Sequence, residues 1–434
     1  MKKSFFLLVG LGWSLCSFAQ KITLDEALRL GLAQRWELKK QAINVQLAES
    51  ENAKLKAQWL PQVNVSGDVR WNTQLQTTVF KNAPFVAGGG DVQLKIGVPF
   101  NNALNLQAEQ KVYDAQSKIN RQLNNAQVQN QQVQLEQNRQ AIKQSITEAY
   151  FSAVFSQEKL LLSAKAQERA KANLEAAETR LKAGSLLQNE YDRFVLDAKT
   201  AQLTYEKDRQ NVDLSLDNLA LQLASTQRLE PAENLSSMMA QFKGLTDSST
   251  VESRPELLVE TINLRINELN RQKQLARLKP TVSAYGTYAV QQFNDTPNLF
   301  SAGTWFPYNY IGIKFNIPVF DGHQTKLQAE EYSLRQELNR LNTQQLKATY
   351  TYEPQTALNA LRQASLNLAD AERNVALARQ ILETDQLRFD KGVLLASELK
   401  NSEYALQNAE NTYLSYGYDY LVAVVKLKKA TGKL

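Results

Sequence analysis

Residues 61–71 read PQVNVSGDVRW, and residues 280–290 read PTVSAYGTYAV. In both stretches a proline precedes a run in which apolar side chains recur at every second position, with a glycine at the same place in each copy. Such alternation predicts a strand with one apolar and one polar face. Because the two stretches are copies of one pattern, the chain contains an internal repeat, and a repeat bears on the fold of everything around it.

The repeat extends well beyond these strands. Shifting the sequence by 219 residues superimposes Arg35, Glu37, Leu38, Ile43, Asn44, Pro61, Gly67, Lys95 and Pro99 on Arg254, Glu256, Leu257, Ile262, Asn263, Pro280, Gly286, Lys314 and Pro318. We therefore expect a first repeat at residues 20–224 and a second at residues 254–434. The intervening residues 225–253 contain many serines and predict an irregular linker.

Each repeat is expected to contain one pair of strands. The pairs cover about residues 62–71 and 92–100 in the first repeat, and about residues 281–291 and 309–319 in the second. Each run is about as long as a tilted strand needs to be to cross a bilayer. Aromatic residues that would form a girdle at the membrane interface cluster near the strand ends: Trp71, Phe300, Trp305, Phe306, Tyr308 and Tyr310. An ordinary soluble hairpin, half buried on a core, is the alternative for each pair.

The rest of the chain predicts helix. Apolar and small residues advance in alternating steps of three and four on both sides of Gly184 and of Gly392, which is the pattern of coiled-coil helices joined by tight turns. The interval from Phe100 to Gly184 is longer than that from Phe320 to Gly392, so we expect the first long helix to carry extra residues near 120–140. This stretch is rich in Asn and Gln, which predicts a wide solvated helix, an outward bulge or a docking element.

The ends and the composition restrict the class of protein. Residues 1–19 predict a secretory signal peptide, with Lys2 and Lys3 before an apolar core. Cleavage after Ala19 would remove the only cysteine, Cys16, whose lipidation is the alternative. A net charge of +6 with no basic block argues against nucleic-acid binding. No apolar run after the signal is long enough for a membrane-spanning helix, so a membrane location requires a closed β-barrel.

An enzyme is not expected. The chain has one histidine, His323, and no phosphate-binding loop or nucleophile elbow, so we expect neither a metal site nor a cofactor. The four predicted strands cannot close a barrel alone, and lipid tolerates no open sheet edge. Transmembrane strands would therefore require an oligomer of two or three chains. A barrel wide enough to continue into a hollow tube of helices favours three.

The order of these features, found twice, resembles the TolC-type outer membrane channel family. The resemblance rests on the strand ends at Pro99 and Pro318, on residues 149–151 in the long helix, and on the turns at 180–184 and 388–392. It implies a mixed, mainly α fold: a homotrimer whose twelve-stranded transmembrane β-barrel receives four strands from each chain and continues into a periplasmic coiled-coil tunnel. It further implies an exit duct in the outer membrane of a Gram-negative bacterium, surrounded by outer membrane lipid. The duct would serve a tripartite efflux pump or type I secretion system and would meet a periplasmic adaptor and an inner-membrane transporter.

The resemblance also assigns candidate functional residues. The two turns would be periplasmic tips that dock the adaptor through Gly184, Ser185, Leu186, Leu187, Gly392, Val393, Leu394 and Leu395. Beyond the turns, Glu398, Asn401 and Glu190 would lie at a gate or constriction, where rings of carboxylates favour cations. The leucines could instead only close the helical hairpins, and the glutamates could be ordinary solvated residues at helix starts.

A second class of function stays open at this point. The chain could be a periplasmic coiled-coil scaffold or adaptor whose strands form a soluble domain. Adaptors usually have one helical hairpin, whereas this sequence predicts two with duplicated strand pairs. Nothing in the sequence indicates the transported substrate.

Overall fold

The computed structural model describes residues 20–81, 90–242, 254–300 and 305–434. The predicted signal peptide, Cys16 and Ala19 lie outside these residues. The chain divides into two compact units. Of the described residues, the helical unit comprises 20–43, 132–242, 254–259 and 342–434, and the sheet unit comprises 44–81, 90–131, 260–300 and 305–341. Each unit takes segments from both repeats.

Helices make up most of the described chain. They are α1 (Leu24–Gln34), α2 (Trp36–Ala57), α3 (Ala115–Lys182), α4 (Gln188–Leu223), α5 (Leu235–Gln241), α6 (Pro255–Ala276), α7 (Gln324–Asp390) and α8 (Ala396–Ala430). The strands are β1 (Gln20–Ile22), β2 (Gln62–Trp71), β3 (Gln76–Phe80), β4 (Val92–Ile96), β5 (Phe100–Asp114), β6 (Leu229–Pro231), β7 (Thr281–Asn294) and β8 (Trp305–Asn316). The predicted mainly α fold with long paired helices is confirmed.

A four-stranded antiparallel sheet lies in the sheet unit, in the order β2-β5-β7-β8. The predicted partner of residues 62–71 was wrong, since β2 pairs with β5, which begins only at Phe100, the last residue of the predicted partner. Residues 92–96 form β4, which pairs with β3 in a separate two-stranded sheet. The alternation in β4 is real, but it belongs to a short hairpin inserted between β2 and β5. The coincidence of Lys95 with Lys314 is therefore not a structural equivalence.

The strand β5 also explains the apparent excess in the first repeat. The long helices are nearly equal, with 68 residues in α3 and 67 in α7. The extra residues before Gly184 are in β5, which extends to Asp114, and not in a longer helix. Strand β8 begins and ends slightly earlier than predicted, at residues 305–316.

The amide-rich stretch of α3 faces its neighbouring helices. Asn124 and Asn130 are buried, with exposed fractions of 3% and 5%. The Asn124 side chain donates to the carbonyl of Ala48 in α2 at 3.1 Å, and Asn130 donates to Asn263 of α6 at 2.7 Å. Buried amides need such partners. For these two residues, the interpretations as an outward bulge or a docking element were therefore wrong.

The helical unit has an apolar core in which α3, α4 and α8 meet. Its fully buried side chains include Tyr150, Phe151, Leu219 and Leu421. The predicted linker contributes to this unit and is not wholly irregular, because β6 pairs in parallel with β1 and α5 packs its Met238 into the core. The part of the predicted linker from 243 to 253 lies outside the described residues.

The arginines that the repeats share have the same structural role. Arg35 donates to the carbonyl of Gln222 at 3.3 Å, and Arg254 donates to the carbonyl of Lys429 at 2.9 Å. Both carbonyls are in the last turn of the final helix of the same repeat, α4 or α8, where the negative end of the helix dipole favours a cation. The sequence repeat is therefore a repeat of helix-end contacts as well.

No helix in the described residues is both long and apolar enough to cross a membrane.

Candidate functional site

One face of the four-stranded sheet is mainly apolar, although it also carries Asn102, Gln292 and Asn309. The strand register places the alternating apolar residues of all four strands side by side: Val63, Val65 and Val69 of β2, Leu104 and Leu106 of β5, Val282, Ala284 and Val290 of β7, and Ile311, Ile313 and Phe315 of β8. Ile311, Ile313 and Phe315 are exposed by 91%, 71% and 71%. Around these three side chains the apolar face has no covering layer among the described residues, which is unusual for a sheet in water.

The opposite face is polar and charged. Across β2 and β5 it carries Asn64, Ser66, Asp68, Arg70, Asn105, Gln107 and Glu109, and on β8 it carries Lys314. Arg70 and Asp68 form an exposed ion pair at 2.7 Å. A sheet with an apolar face against lipid and a polar face against water has this division.

The outer strands of this sheet each lack a second neighbour in the described chain. Strand β2 pairs only with β5, and β8 pairs only with β7. Each outer strand therefore presents a row of backbone N–H and C=O groups on its free side. These groups can hydrogen-bond to a strand of another chain.

The predicted aromatic girdle divides between the two faces. Trp71 and Trp305 lie on the apolar face, near the same end of the sheet, as an interfacial girdle requires. Phe306, Tyr308 and Tyr310 follow Trp305 at odd separations and lie on the polar face. The girdle interpretation was wrong for these three residues, because period-two alternation sends them to the other side.

Each predicted tip in the helical unit is a tight reversal between two long helices. Gly184 and Gly392 have φ of +70° and +74°, the left-handed conformation that glycine adopts without a Cβ penalty. The N–H groups of Ser185 and Val393 donate to the carbonyl five residues earlier, at 2.9 and 3.0 Å. Both turns therefore end the preceding helix in the same way, as the repeat predicted.

The residue that directly precedes the next helix is a leucine at both tips. Leu187 and Leu395 are the N-cap residues of α4 and α8, and neither helix start has a side-chain cap hydrogen bond. The two leucines are exposed by 68% and 66%. Ser, Thr, Asp or Asn at this position typically stabilises a helix by about 1 kcal/mol relative to an apolar residue. Leu186 and Leu394 are less exposed than these two leucines.

The two tips contact each other through their ends. The Arg180 guanidinium, in the last turn of α3, lies 4.3 Å from the ring centre of Phe389, in the last turn of α7. This geometry is a cation–π contact. The helix ends of the two repeats are thus linked within one chain.

Two of the three predicted gate residues come together. Glu190 and Asn401 line a groove of about 320 Å³ between α4 and α8. Glu398 is not among its lining residues; it is exposed in the first turn of α8. Glu190 lies in the equivalent first turn of α4. The groove is therefore an arrangement of Glu190 and Asn401 without Glu398.

A charged network at the groove was missed at the sequence level. The Lys400 ammonium hydrogen-bonds to Asp197 of α4, lies 2.9 Å from Glu403 and sits 5.3 Å from the ring centre of Phe194. Lys400, Asp197 and Glu403 keep exposed side-chain fractions of only 16%, 14% and 13%. The spacing of Lys400 and Glu403 along α8 signals an ion pair, but nothing in the sequence indicates that Asp197, on another helix, completes it.

Tyr404 extends this network. Its hydroxyl donates to Asp197 at 2.7 Å. This hydrogen bond, together with partial burial and the negative charges of Asp197 and Glu403, raises the pKa of Tyr404 to about 12. Lys400 and Tyr404 thus join α8 to the same carboxylate of α4.

The single histidine takes no part in such a cluster. His323 directly precedes α7 and contacts the ring of Phe320, with ring centres 5.6 Å apart. Across the described ranges, no group of three or more His, Cys, Asp or Glu side chains is placed to hold a metal ion.

Comparison with known proteins finds similarity in both sequence and fold. Residues 248–433 match the family described as outer membrane efflux protein. Among solved structures, CusC superimposes with a TM-score of 0.76 at 16% identity, covering 95% of this chain and 93% of that one. The CmeC outer membrane channel of Campylobacter jejuni gives 0.74 at 17% identity over 94% and 85%. The open-state MtrE outer membrane channel of Neisseria gonorrhoeae gives 0.73 at 15% identity over 94% and 88%. No match was found among curated protein sequences.

Proposed function

We propose that the protein is an outer membrane exit duct. Residues 248–433 match the outer membrane efflux protein family, and nearly the whole chain has the fold of solved outer membrane channels. The duct conducts substrates passively out of the cell and extends into the periplasm. The family match and the shared fold confirm the resemblance to TolC-type channels. The matched family is one of channels, and the duct needs no catalytic group.

The sheet carries this proposal. An apolar face exposed over four strands is unfavourable in water, since burying apolar surface stabilises a protein by about 25 cal/mol for each square ångström. Against lipid the same face is favourable, and the polar face can line an aqueous path. The alternative that the sequence left open, a soluble periplasmic scaffold, does not explain why the Ile311, Ile313 and Phe315 side chains are exposed.

A trimer is the assembly that we propose. Lipid does not tolerate the free sides of β2 and β8, so each must pair with another chain. Three chains of four strands supply twelve strands, enough for a barrel with an aqueous interior, whereas two chains supply eight, which side chains would fill. The first test is fractionation: the protein should be found in the outer membrane as a detergent-stable trimer. A monomer in the soluble periplasmic fraction would contradict the proposal.

The tips are proposed as docking sites for a periplasmic adaptor, which joins the duct to an inner-membrane transporter. The supporting observation is that Leu187 and Leu395 occupy N-cap positions without capping and without burial. Helix stability favours a polar residue there, so an exposed leucine at both tips suits contact with another protein. Ser185 and Val393, beside the glycines, are exposed and belong to the same surface.

The gate is proposed beside the tips, at the groove lined by Glu190 and Asn401 and at the exposed Glu398 in the first turn of α8. In a trimer, three copies each of Glu398, Asn401 and Glu190 would surround the entrance, and carboxylate rings favour cations over anions. Lys400 and Tyr404 hold α8 to α4 through Asp197. Separation of these helices would break the contacts, so the network stabilises one position of the entrance.

A further inference from the structure

A row of aromatic side chains lies on the polar face of β7 and β8. We call it the aromatic row: Tyr285, Phe293, Phe306, Tyr308 and Tyr310. The rings of Tyr308 and Tyr310 are stacked with centres 6.4 Å apart, Tyr285 meets Tyr310 edge to face at 6.0 Å, and Phe293 lies 6.1 Å from Phe306. The ring contacts thus form two groups along the same face, Phe293 with Phe306, and Tyr310 with both Tyr308 and Tyr285.

Backbone geometry makes room for one end of the row. Gly312 is the register partner of Tyr285, and a Cβ at Gly312 would lie 2.9 Å from the Tyr285 ring. Only glycine therefore lets this ring lie across β8 and meet Tyr310. From Phe306 to Gly312 the strand advances by six residue steps, about 20 Å at the rise of an antiparallel strand.

The rings are not placed as core or lipid-facing residues would be. Phe293, Phe306, Tyr308 and Tyr310 keep exposed fractions between 41% and 53%. They share their face with Lys314, whereas the lipid-facing side chains of β8 are Ile311, Ile313 and Phe315. In the proposed duct this face meets water, where bare rings are unfavourable unless something covers them.

We propose that the aromatic row is a contact site for planar aromatic solutes passing through the duct. This inference rests on the proposed function and deepens it by naming a substrate class. Ring faces stack on any planar π-system and also attract cations, with modest energies that permit release. Glu109, the register partner of Tyr285, adds a carboxylate beside the row that suits a cationic ring. Successive weak contacts along a strand slow an aromatic solute without trapping it.

Single-channel recording in planar bilayers tests the site. The probes are ethidium, a planar aromatic cation, and tetraethylammonium, which has the same charge and no ring. With the unaltered protein, ethidium should cause current blockades. In the Tyr308→Thr/Tyr310→Thr variant their mean duration should fall about tenfold, as expected for the loss of two ring contacts. Blockades by tetraethylammonium should be equal in both proteins.

Two further variants complete the design. Asn105→Thr/Gln107→Thr changes the same polar face on β5, where no ring is present, and should leave the ethidium blockades unchanged. Tyr308→Leu/Tyr310→Leu keeps apolar bulk on the strand and carries the same prediction as the threonine pair, should that pair fail to assemble. Normal conductance with ethidium blockades that neither tyrosine variant shortens overturns the aromatic site and leaves the duct standing. Absence of conductance in the unaltered protein overturns the duct itself.

Discussion

Replacing Leu187 and Leu395 with serine should strengthen the first turns of α4 and α8 and weaken adaptor docking at the same time. Both leucines have extended N-cap dihedrals, with φ/ψ of −79°/151° and −74°/147°, from which a serine hydroxyl can accept an N–H of the first turn. A new cap stabilises a helix start by about 1 kcal/mol, so exchange of the first-turn amides should slow about fivefold.

The effect on docking has the opposite sign. Burying one leucine side chain against a partner is worth about 1.5–3 kcal/mol, so each lost leucine should weaken the adaptor by about tenfold or more. Hydrogen–deuterium exchange of the detergent-solubilised trimer measures the first effect, and binding of the purified adaptor measures the second. Leu186→Ser/Leu394→Ser is the matched control. Those leucines are partly sheltered, so their loss should speed exchange at the tips. Faster exchange in the Leu187→Ser/Leu395→Ser variant, with adaptor affinity intact, would show that these leucines only close the hairpins.

Three more predictions concern the groove and the proposed gate residue Glu398. Lys400→Met removes the cation between Asp197 and Glu403 and should loosen α8 from α4, which single-channel recording would show as a higher conductance. Lys199→Met, at an exposed lysine of α4, is the control and should have no effect. Equal conductance in the unaltered protein and both variants would argue against the network holding the entrance. Tyr404 should ionise near pH 12, and Asp197→Asn should return its pKa toward 10. Because the pKa of Tyr404 is raised in the folded state, its contribution to stability is complete below pH 10 and disappears as the pH rises through 12. Ultraviolet difference titration against the Tyr404→Phe variant measures this ionisation. Glu398→Ala should lower the preference for cations over anions in a bilayer under a salt gradient, and an unchanged reversal potential would remove Glu398 from the filter.

The long helices and their turns could be predicted because the relevant signals are local. The steps of three and four, and the glycines that need a left-handed backbone, lie within a few residues of the structures they produce. Strand pairing is not local. Residues 92–96 alternate as well as β5 does, but only tertiary contacts decide that β5 is the partner of β2 and that β4 pairs with β3.

The candidate site was predictable to the same extent. The tips followed from Gly184 and Gly392, and the division of the sheet into two faces followed from period-two alternation. Applied strictly, that alternation would also have placed Tyr308 and Tyr310 opposite Trp305. The contact of Lys400 with Asp197 joins residues that lie far apart in sequence, so it required the packing of α8 on α4.

Closure of the sheet between chains is the central claim, and cysteine cross-linking tests it most directly. Residue 16 is the only cysteine and lies in the predicted signal peptide, so introduced cysteines can be cross-linked without interference. Each test protein carries one cysteine on each free edge, first Val65→Cys with Ile313→Cys and then pairs at neighbouring positions along both strands. Cross-linking of such a pair reports contact between β2 of one chain and β8 of another. Treating outer membranes with a short bis-maleimide should give a covalent trimer in denaturing gels for pairs in register, and only monomer for either single variant. Monomer alone for every pair along β2 and β8 would contradict a sheet closed by three chains.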